Sequence, residues 1–357
     1  MVRFGEAYPR EDFLRRIFLC WAVLAFVFLG VSVLAGWSRP AAGGPSIHDQ
    51  QASVARLLAL GYPVYCGGAA GDAVALTFDD GPGPWTGRTL DILEQYGARA
   101  TFFDLGSHVV RYPGLTRREA RDGVVGDHSW SHPVLTALST GAIFQELFRT
   151  RQVILKRTGP PPVWLFRPPY GATDARVDAI SRTLGMLTVL WELAPDIRAT
   201  DLAAVVSSVE SDVRPGSIIL LHENNNRGVT PAALGLILSW LARKGLRAVT
   251  LPELFATDPP TERQLRTGPY GCGPLVTGVS PAEGSWSGGT LVTISGARLN
   301  LPQHVYFGKQ LATSVSGTPD GRSVQAVAPP GSGTVDVTVT THFDSSPTSP
   351  LDHFTYR

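Results

Sequence analysis

Two adjacent aspartates, Asp79 and Asp80, end an apolar run in the stretch LTFDDG, residues 76–81. Burying two neighbouring carboxylates is costly unless a cation or another partner compensates their charge. Asp-Gly is also a common turn dipeptide, so an ordinary turn is the simpler interpretation. The rest of the chain has to decide between a turn and a site that uses both carboxylates.

A second stretch, HSWSHP at residues 128–133, places His128 and His132 four residues apart. On a helix this spacing puts both imidazoles on one face, and a tight loop can also bring them together. Two histidines and one carboxylate form a recognised catalytic metal set, and Asp79 or Asp80 can supply the carboxylate. The other aspartate could then act on water as a general base. The alternative is two surface histidines in a serine-rich loop.

Two further residues, Arg167 and His222, could take part in acid–base chemistry. One lies beside two prolines and the other ends a strand-like segment. Arg167 lies in FRPPYG, where two prolines fix the backbone, and an arginine there can keep an aspartate ionised. His222 ends the apolar run SIILLH, and a histidine at a strand end can act as a general acid near neutral pH. The alternative for Arg167 is a rigid surface turn, and the alternative for His222 is a structural histidine.

Strand-like and helix-like patterns alternate over residues 72–257 and would position these side chains. AVALTF, residues 73–78, is typical of a buried strand. TPAALGLILSWLARKG, residues 230–245, has apolar side chains at helical spacing and a terminal glycine. The alternation predicts an α/β fold with a parallel sheet or barrel. In such barrels catalytic groups lie at the C-terminal strand ends, where Asp79 and Asp80 occur.

The composition changes after residue 273. Helical periodicity vanishes, and stretches such as GTVDVTVTT, residues 333–341, alternate apolar and polar side chains. Residues 274–357 are therefore predicted to form a small β-sandwich. A chain of 357 residues is long enough for two sizeable cores, and its formal net charge of +1 gives no basis for a nucleic-acid partner.

Residues 17–37, IFLCWAVLAFVFLGVSVLAGW, contain no charged side chain and have the length of a bilayer span of about 20 residues. Arg10, Arg15 and Arg16 precede this segment and Arg39 follows it. The positive-inside rule then places residues 1–16 in the cytoplasm and the remainder outside. A cleaved signal peptide is the alternative, and it would also export the main body. Residues 38–71 are predicted to be a linker.

The stretches TFDDG, HSWSHP, RPPYG and LLH follow one another within residues 72–257. Together they resemble the motifs of the NodB-homology polysaccharide deacetylases, carbohydrate esterase family four. The resemblance implies a distorted, incomplete (β/α) barrel. It also implies the following site: Asp79 as base, Arg167 beside it, His222 as acid, the Tyr170 N–H as oxyanion donor, Asp80, His128 and His132 as metal ligands, and Trp191 and Leu220 as walls of the acetyl pocket.

The match is weakest in LWELAPDIR, residues 190–198. Asp196 matches the family's aspartate and is assigned to the substrate pocket, while Ile197 replaces the usual tryptophan. The acid that usually tunes the catalytic histidine is absent or shifted to Glu192, so no residue is assigned to tune His222.

Residues 274–299 and the terminal LDHFTYR resemble the IPT/TIG domain, an immunoglobulin-like sandwich. Cys66 precedes the first barrel strand, and Cys272 lies in the predicted linker 258–273. In a (β/α) barrel the first strand starts at the face to which the last helix returns, so these two flanks can meet. We therefore predict a disulfide between Cys66 and Cys272, with two free thiols as the alternative.

The sequence predicts an exported, membrane-anchored, metal-dependent deacetylase of N-acetylated sugars in peptidoglycan or a chitin-like glycan. Zinc is the favoured metal, and cobalt or manganese would also fit. The alternatives are an ester deacetylase of acetylated xylan, a glycan-binding protein with an inactive deacetylase domain, and a transcription factor, which the membrane segment opposes. Five histidines lie in no motif and are interpreted as structural or surface residues: His48, His108, His304, His342 and His353.

Overall fold

The computed structural model describes residues 44–197, 201–223, 229–299, 302–318, 321–341 and 345–357. The predicted membrane segment, residues 17–37, lies outside these ranges. Among the helices within them, none has the length and apolar character needed to cross a bilayer.

A seven-stranded parallel sheet forms the centre of the first domain. Its strands are β1 Ala73–Gly81, β2 Thr101–Asp104, β3 Val124–Asp127, β4 Leu165–Phe166, β5 Leu187–Thr188, β6 Ile218–His222 and β7 Arg247–Val249. They lie in the order β5–β4–β3–β2–β1–β6, and β7 pairs with the first residues of β1. Every residue of β1 is buried, as expected for a parallel strand that is covered on both faces.

The two edges of this sheet approach each other through residues 189–193. Val189 forms a parallel bridge to Val64, and Leu193 forms one to Ile219 of β6. The sheet therefore curves into an incomplete barrel, which agrees with the predicted α/β architecture. Its C-terminal strand ends gather the candidate catalytic residues on one face.

Helices surround the sheet, and capping residues define the ends of several of them. They are α1 Ile47–Leu60, α2 Thr86–Gln95, α3 Gly106–Arg111, α4 Pro113–Asp122, α5 Thr140–Thr158, α6 Ala175–Thr183, α7 Leu202–Asp212, α8 Val229–Arg243, α9 Leu251–Thr257 and α10 Glu262–Thr267. Ser139 caps α5 by accepting the Ala142 N–H, and Gly159 follows its last residue. Thr250 caps α9 in the same way.

Helix α1 packs on the barrel, although residues 38–71 were expected to form a linker. Its residues Val54 and Leu57 are buried in one core with Leu254 of α9. Leu265, within the predicted linker 258–273, belongs to the same core. These segments are ordered parts of the domain because each presents apolar side chains that find partners at the barrel base.

Residues 275–356 form two facing, mainly antiparallel sheets. Their strands are β8 Leu275–Ser280, β9 Glu283–Gly284, β10 Leu291–Ala297, β11 His304–Phe307, β12 Gln310–Leu311, β13 Val315–Gly317, β14 Ser323–Val327, β15 Gly333–Thr340 and β16 His353–Tyr356. One sheet has the order β13–β14–β10–β8 and the other β12–β11–β15–β16–β9. Val337 and Val339 of β15 share a buried core with Ile294 of β10, as their alternation predicts.

A disulfide and a buried arginine help to attach this β domain to the barrel. Cys66 and Cys272 form a disulfide with Cα atoms 5.9 Å apart, and both residues are buried. Arg298, at the end of the β10 segment, donates from Nη2 to the Gly67 carbonyl at 2.7 Å, and its Nη1 lies 3.3 Å from the Cys66 sulfur. The junction therefore combines a covalent link with a buried guanidinium.

Replacing both disulfide cysteines, in Cys66→Ala/Cys272→Ala, should lower the free energy of unfolding by up to about 5 kcal/mol. The reason is that the bond restricts an unfolded chain in which these residues are separated by 206 positions. Urea unfolding of the wild type and the variant measures the effect. The control is Cys20→Ala, which leaves the pair intact. Equal unfolding midpoints for wild type and double variant would contradict the expectation.

Candidate functional site

Asp79 and Asp80 lie at the C-terminal end of β1, and both are buried. Parallel pairing places Asp79 directly opposite His222 of β6. Asp80 has a φ of 68°, a left-handed conformation that is uncommon for residues other than glycine. His128 Nε2 lies 3.6 Å from an oxygen of each aspartate, whereas Arg167 pairs with Asp79 and His132 with Asp80, so the stretch is more than an ordinary turn.

The side chain of Arg167 fixes Asp79. Its Nη1 donates to Asp79 Oδ1 at 2.8 Å and to Thr77 Oγ1 at 2.7 Å. Its other nitrogens donate to the carbonyls of Val189 and Leu190. Burial raises the pKa of Asp79, and the positive charge of Arg167 opposes that increase. The fully buried guanidinium thus favours an ionised Asp79 in one orientation.

Asp80, His128 and His132 bring three donor atoms to within 4.8 Å of one another. His128 Nε2 lies 3.6 Å and His132 Nε2 lies 3.3 Å from Asp80 Oδ1. His128 Nδ1 donates to the Arg167 carbonyl at 2.8 Å, which leaves Nε2 with its lone pair facing the aspartates. Burial lowers the pKa of His128 to about 3, so this imidazole is neutral.

These distances match the requirements of a metal ion. Two nitrogen or oxygen ligands of a tetrahedral zinc ion lie about 3.4 Å apart, given metal–ligand bonds of about 2.0–2.2 Å. The donor set of two neutral imidazoles and one carboxylate suits a divalent transition metal. Asp80, His128 and His132 could therefore hold such an ion.

Residues outside the recognised motifs shape the histidine loop. Glu146 of α5 accepts the backbone N–H groups of Trp130 and Ser131, both at 2.9 Å. Asp127 Oδ1 accepts the Ser129 N–H at 2.8 Å. Ser129 and His132 have φ values of 70° and 62°, so these contacts hold the loop in an uncommon backbone conformation. Asp127 could have been noticed from the sequence because it directly precedes His128. Glu146 lies in a separate helix, and no sequence pattern indicated its role.

His108 lies in no motif and was interpreted as a structural or surface residue, and the structure gives it a structural role beside the site. Its Nδ1 donates to the backbone carbonyl of Asp80 at 3.0 Å. It therefore supports the left-handed backbone of a candidate ligand and is more than a surface histidine. His108 lies on α3, which follows β2. Because β2 pairs with β1, the fold brings His108 close to the end of β1.

Asp196, which was assigned to the substrate pocket, makes two hydrogen bonds with His222. Asp196 Oδ1 accepts from His222 Nδ1 at 2.9 Å, and Oδ2 accepts the His222 N–H at 2.7 Å. Glu192 instead pairs with Arg214 and accepts the Ser217 hydroxyl. Asp196 therefore lies where an acid can tune His222, and Glu192 does not.

The charge around His222 favours its protonated form. Burial lowers its pKa, but the hydrogen bond and charge of Asp196, together with Asp79 and Asp80, outweigh burial and raise the pKa to about 9. A histidine that is protonated at neutral pH can donate a proton to a leaving group. Its position opposite Asp79 gives the site a candidate base and a candidate acid on neighbouring strands.

The remaining predicted site residues are Leu220, Trp191 and Tyr170. Leu220 is buried on β6 and faces the same side of the strand as His222. The Trp191 ring covers Gly171, where an added Cβ would lie 2.9 Å from the indole. Tyr170 has a φ of 61° and places its exposed ring 4.5 Å from the His132 ring.

Three fully buried carboxyl groups lie behind this site. Asp104, Glu119 and Glu223 cluster around Gly81, and the Thr86 hydroxyl donates to Glu223 at 2.7 Å. Burial raises the pKa of Asp104 to about 7 and that of Glu223 to about 8. Burial therefore favours the protonated forms of these groups, which fill the space between the ends of β1, β2 and β6.

Comparison with known proteins identifies two regions of similarity. The profile of the family described as polysaccharide deacetylase matches residues 67–189. The profile described as IPT/TIG domain matches residues 274–356. The first match contains the DDG and paired-histidine motifs together with Arg167, and the second spans the two-sheet domain.

Two curated relatives align with the barrel domain. A peptidoglycan-N-acetylglucosamine deacetylase, PgdA, of Listeria monocytogenes is 36% identical over 185 residues, which cover 51% of this chain and 38% of the Listeria protein. A chitooligosaccharide deacetylase of Rhizobium leguminosarum bv. trifolii is 38% identical over 189 residues, 52% of this chain and 84% of that protein. The chain thus spans well under half of the Listeria relative and most of the rhizobial one.

A crystal structure of BA3943, a CE4 family pseudoenzyme from Bacillus anthracis, is also similar. It has a TM-score of 0.51 and 28% sequence identity, and the match covers 54% of this chain and 68% of that chain. A pseudoenzyme shares this fold, so the fold alone does not establish activity.

Replacing Asp196, in Asp196→Asn, should lower the pKa of the His222 imidazole from about 9 by about one to three pH units. The variant loses the carboxylate charge that offsets burial. NMR titration of the imidazole in metal-free protein measures this. The wild-type interaction stabilises the fold while His222 is protonated, and that contribution disappears as the pH rises through about 9.

Asp201→Asn is the matched control, because Asp201 caps α7 and asparagine caps helices equally well. It should leave the His222 titration unchanged. An unaltered imidazole pKa in Asp196→Asn would show that the carboxylate does not tune His222.

Proposed function

Because the chain belongs to the polysaccharide deacetylase family, we propose that it hydrolyses acetyl groups from N-acetylated sugars of a cell-wall polysaccharide. The observation that carries this proposal is the pairing of Asp79 with Arg167 directly across from a His222 that is held by Asp196. One strand end offers an oriented base and its neighbour offers a charged acid.

The two groups would divide the proton transfers of amide hydrolysis. Asp79 accepts a proton from the attacking water, and Arg167 keeps its carboxylate in place. His222 donates a proton to the departing sugar nitrogen, and Asp196 stabilises the imidazolium before that transfer. The products are acetate and a free amine.

The ligand set Asp80, His128 and His132 would hold a divalent metal ion, with zinc favoured and cobalt or manganese as alternatives. When bound, such an ion supplies Lewis-acid chemistry and lowers the pKa of water. The Tyr170 N–H would assist by donating to the developing oxyanion. Trp191 and Leu220 would exclude water from the acetyl methyl group.

The acetylated polymer is proposed to be peptidoglycan or a chitin-like glycan. The named relatives act on peptidoglycan N-acetylglucosamine and on chitooligosaccharides, and both are N-acetylated glycans. An ester deacetylase of acetylated xylan would use the same site. An inactive glycan-binding domain is the third possibility, and the pairing of Asp79, Arg167, His222 and Asp196 argues against it.

Acetate release from peptidoglycan, chitin oligomers and acetylated xylan, measured side by side, tests the proposal. We expect release from one of the N-acetylated polymers. Asp79→Asn should lose about 10²–10⁴-fold of that rate, because it removes the base. It should keep its metal, whereas His132→Ala should lose both metal and activity.

Asp91→Asn is a suitable control, because Asp91 is an exposed acid on α2 that pairs with Arg118 away from the site. It should keep full activity and metal content. Release from xylan alone would favour the ester deacetylase. No release from any polymer by metal-loaded protein would favour the inactive binding domain.

We further propose that residues 17–37 anchor the protein in the cytoplasmic membrane with the catalytic domain outside. The uncharged segment and the arginines that precede it support this orientation. An exterior position would place the catalytic domain beside cell-wall glycans. If the segment is instead cleaved as a signal peptide, the protein is secreted.

Protease treatment of intact spheroplasts that express the full chain should digest the IPT/TIG domain. A cytoplasmic marker enzyme in the same cells should stay intact until lysis. Protection of the IPT/TIG domain until lysis would contradict the proposed orientation, and recovery of the domain in the medium would identify secretion.

A further inference from the structure

A second group of ligand-type side chains lies in the IPT/TIG domain, within residues 336–353. Strands β15 and β16 pair so that Asp336 lies opposite His353. Asp352 directly precedes His353 and ends a 3-10 turn at Pro350–Asp352. One donor atom from each of the three residues lies within 4.8 Å of the other two.

The buried member of this group has an unused oxygen. Asp352 is fully buried, and its Oδ2 accepts the Ser349 N–H at 2.6 Å. Its Oδ1 is buried too and has no hydrogen-bond partner among the residues that the structure describes. An unpaired buried carboxylate oxygen is unfavourable, so a cation bound to this oxygen would remove that cost.

The two exposed members are spaced like ligands of one ion. His353 Nε2 lies 3.2 Å from Asp336 Oδ1, close to the separation of about 3.4 Å between two ligands of tetrahedral zinc. About half of each side chain is exposed, so an ion can reach them from solvent. An exposed pair of this kind contributes little to stability without an ion.

We propose that Asp336, Asp352 and His353 bind a divalent transition-metal ion, zinc in the first instance. The imidazole selects against calcium and magnesium, which take oxygen ligands, and suits zinc. The ion would join the 3-10 turn before β16 to β15. This site is separate from Asp80, His128 and His132 and does not depend on the proposed hydrolytic activity.

Metal content of the full chain tests the proposal. Purified protein is stripped with a chelator, loaded with zinc, desalted and analysed by mass spectrometry for zinc per chain. We expect two zinc ions in the wild type and one in Asp336→Asn/His353→Ala. That variant should keep acetate release at the wild-type rate, because the changed residues lie in the β domain. In a His132→Ala background, the same double change should remove the remaining ion.

His304→Ala is the matched control, since His304 is an exposed histidine on β11 of the same sheet but outside the cluster. It should retain two zinc ions. Equal zinc content in Asp336→Asn/His353→Ala and the wild type would overturn the proposal, and so would a His132→Ala protein that binds no zinc. The His132→Ala arm also separates the two sites, so absence of deacetylase activity would not affect the result.

Discussion

The buried contact between Arg167 and Asp79 is the interaction on which the site depends. A fully buried guanidinium is costly unless each donor is paired, and Arg167 pairs with Asp79, Thr77 and two backbone carbonyls. These partners lie on β1 and on residues 189–190, which follow β5. Removing either charge would leave the other buried without compensation, so the ion pair fixes both the base and the relative position of these segments.

Around this pair, the backbone adopts conformations that the local sequence does not favour. Asp80, Ser129, His132 and Tyr170 all have φ values between 61° and 70°. Each such conformation costs of order 1–3 kcal/mol, so surrounding contacts must hold it. His108 supplies such a contact to the Asp80 carbonyl, and Asp127 and Glu146 accept backbone N–H groups within residues 129–131. Strained geometry and the residues that support it therefore occur together at the candidate catalytic centre.

The IPT/TIG domain is attached at the end of the barrel opposite to the candidate catalytic residues. The disulfide between Cys66 and Cys272, and the contacts of Arg298 with Gly67, lie near the residues that begin β1. Because the catalytic groups follow the C-terminal strand ends, the IPT/TIG domain is joined at the face away from them. The covalent and hydrogen-bonded junction therefore lies away from the candidate catalytic residues.

Sequence patterns alone predicted an α/β fold with a parallel sheet or barrel and a second β domain, because the spacing of apolar residues distinguishes helices from strands. The resemblance of the motifs to a known family then implied the distorted barrel and the site residues. Asp79, His128, His132, Arg167 and His222 were identified in this way. The three-dimensional structure was needed to show that Asp196 contacts His222, that α1 packs on the barrel, and that His108 and Glu146 bind backbone groups of the site. These outcomes depend on strand register and on contacts between distant segments, and no local pattern specifies either of them.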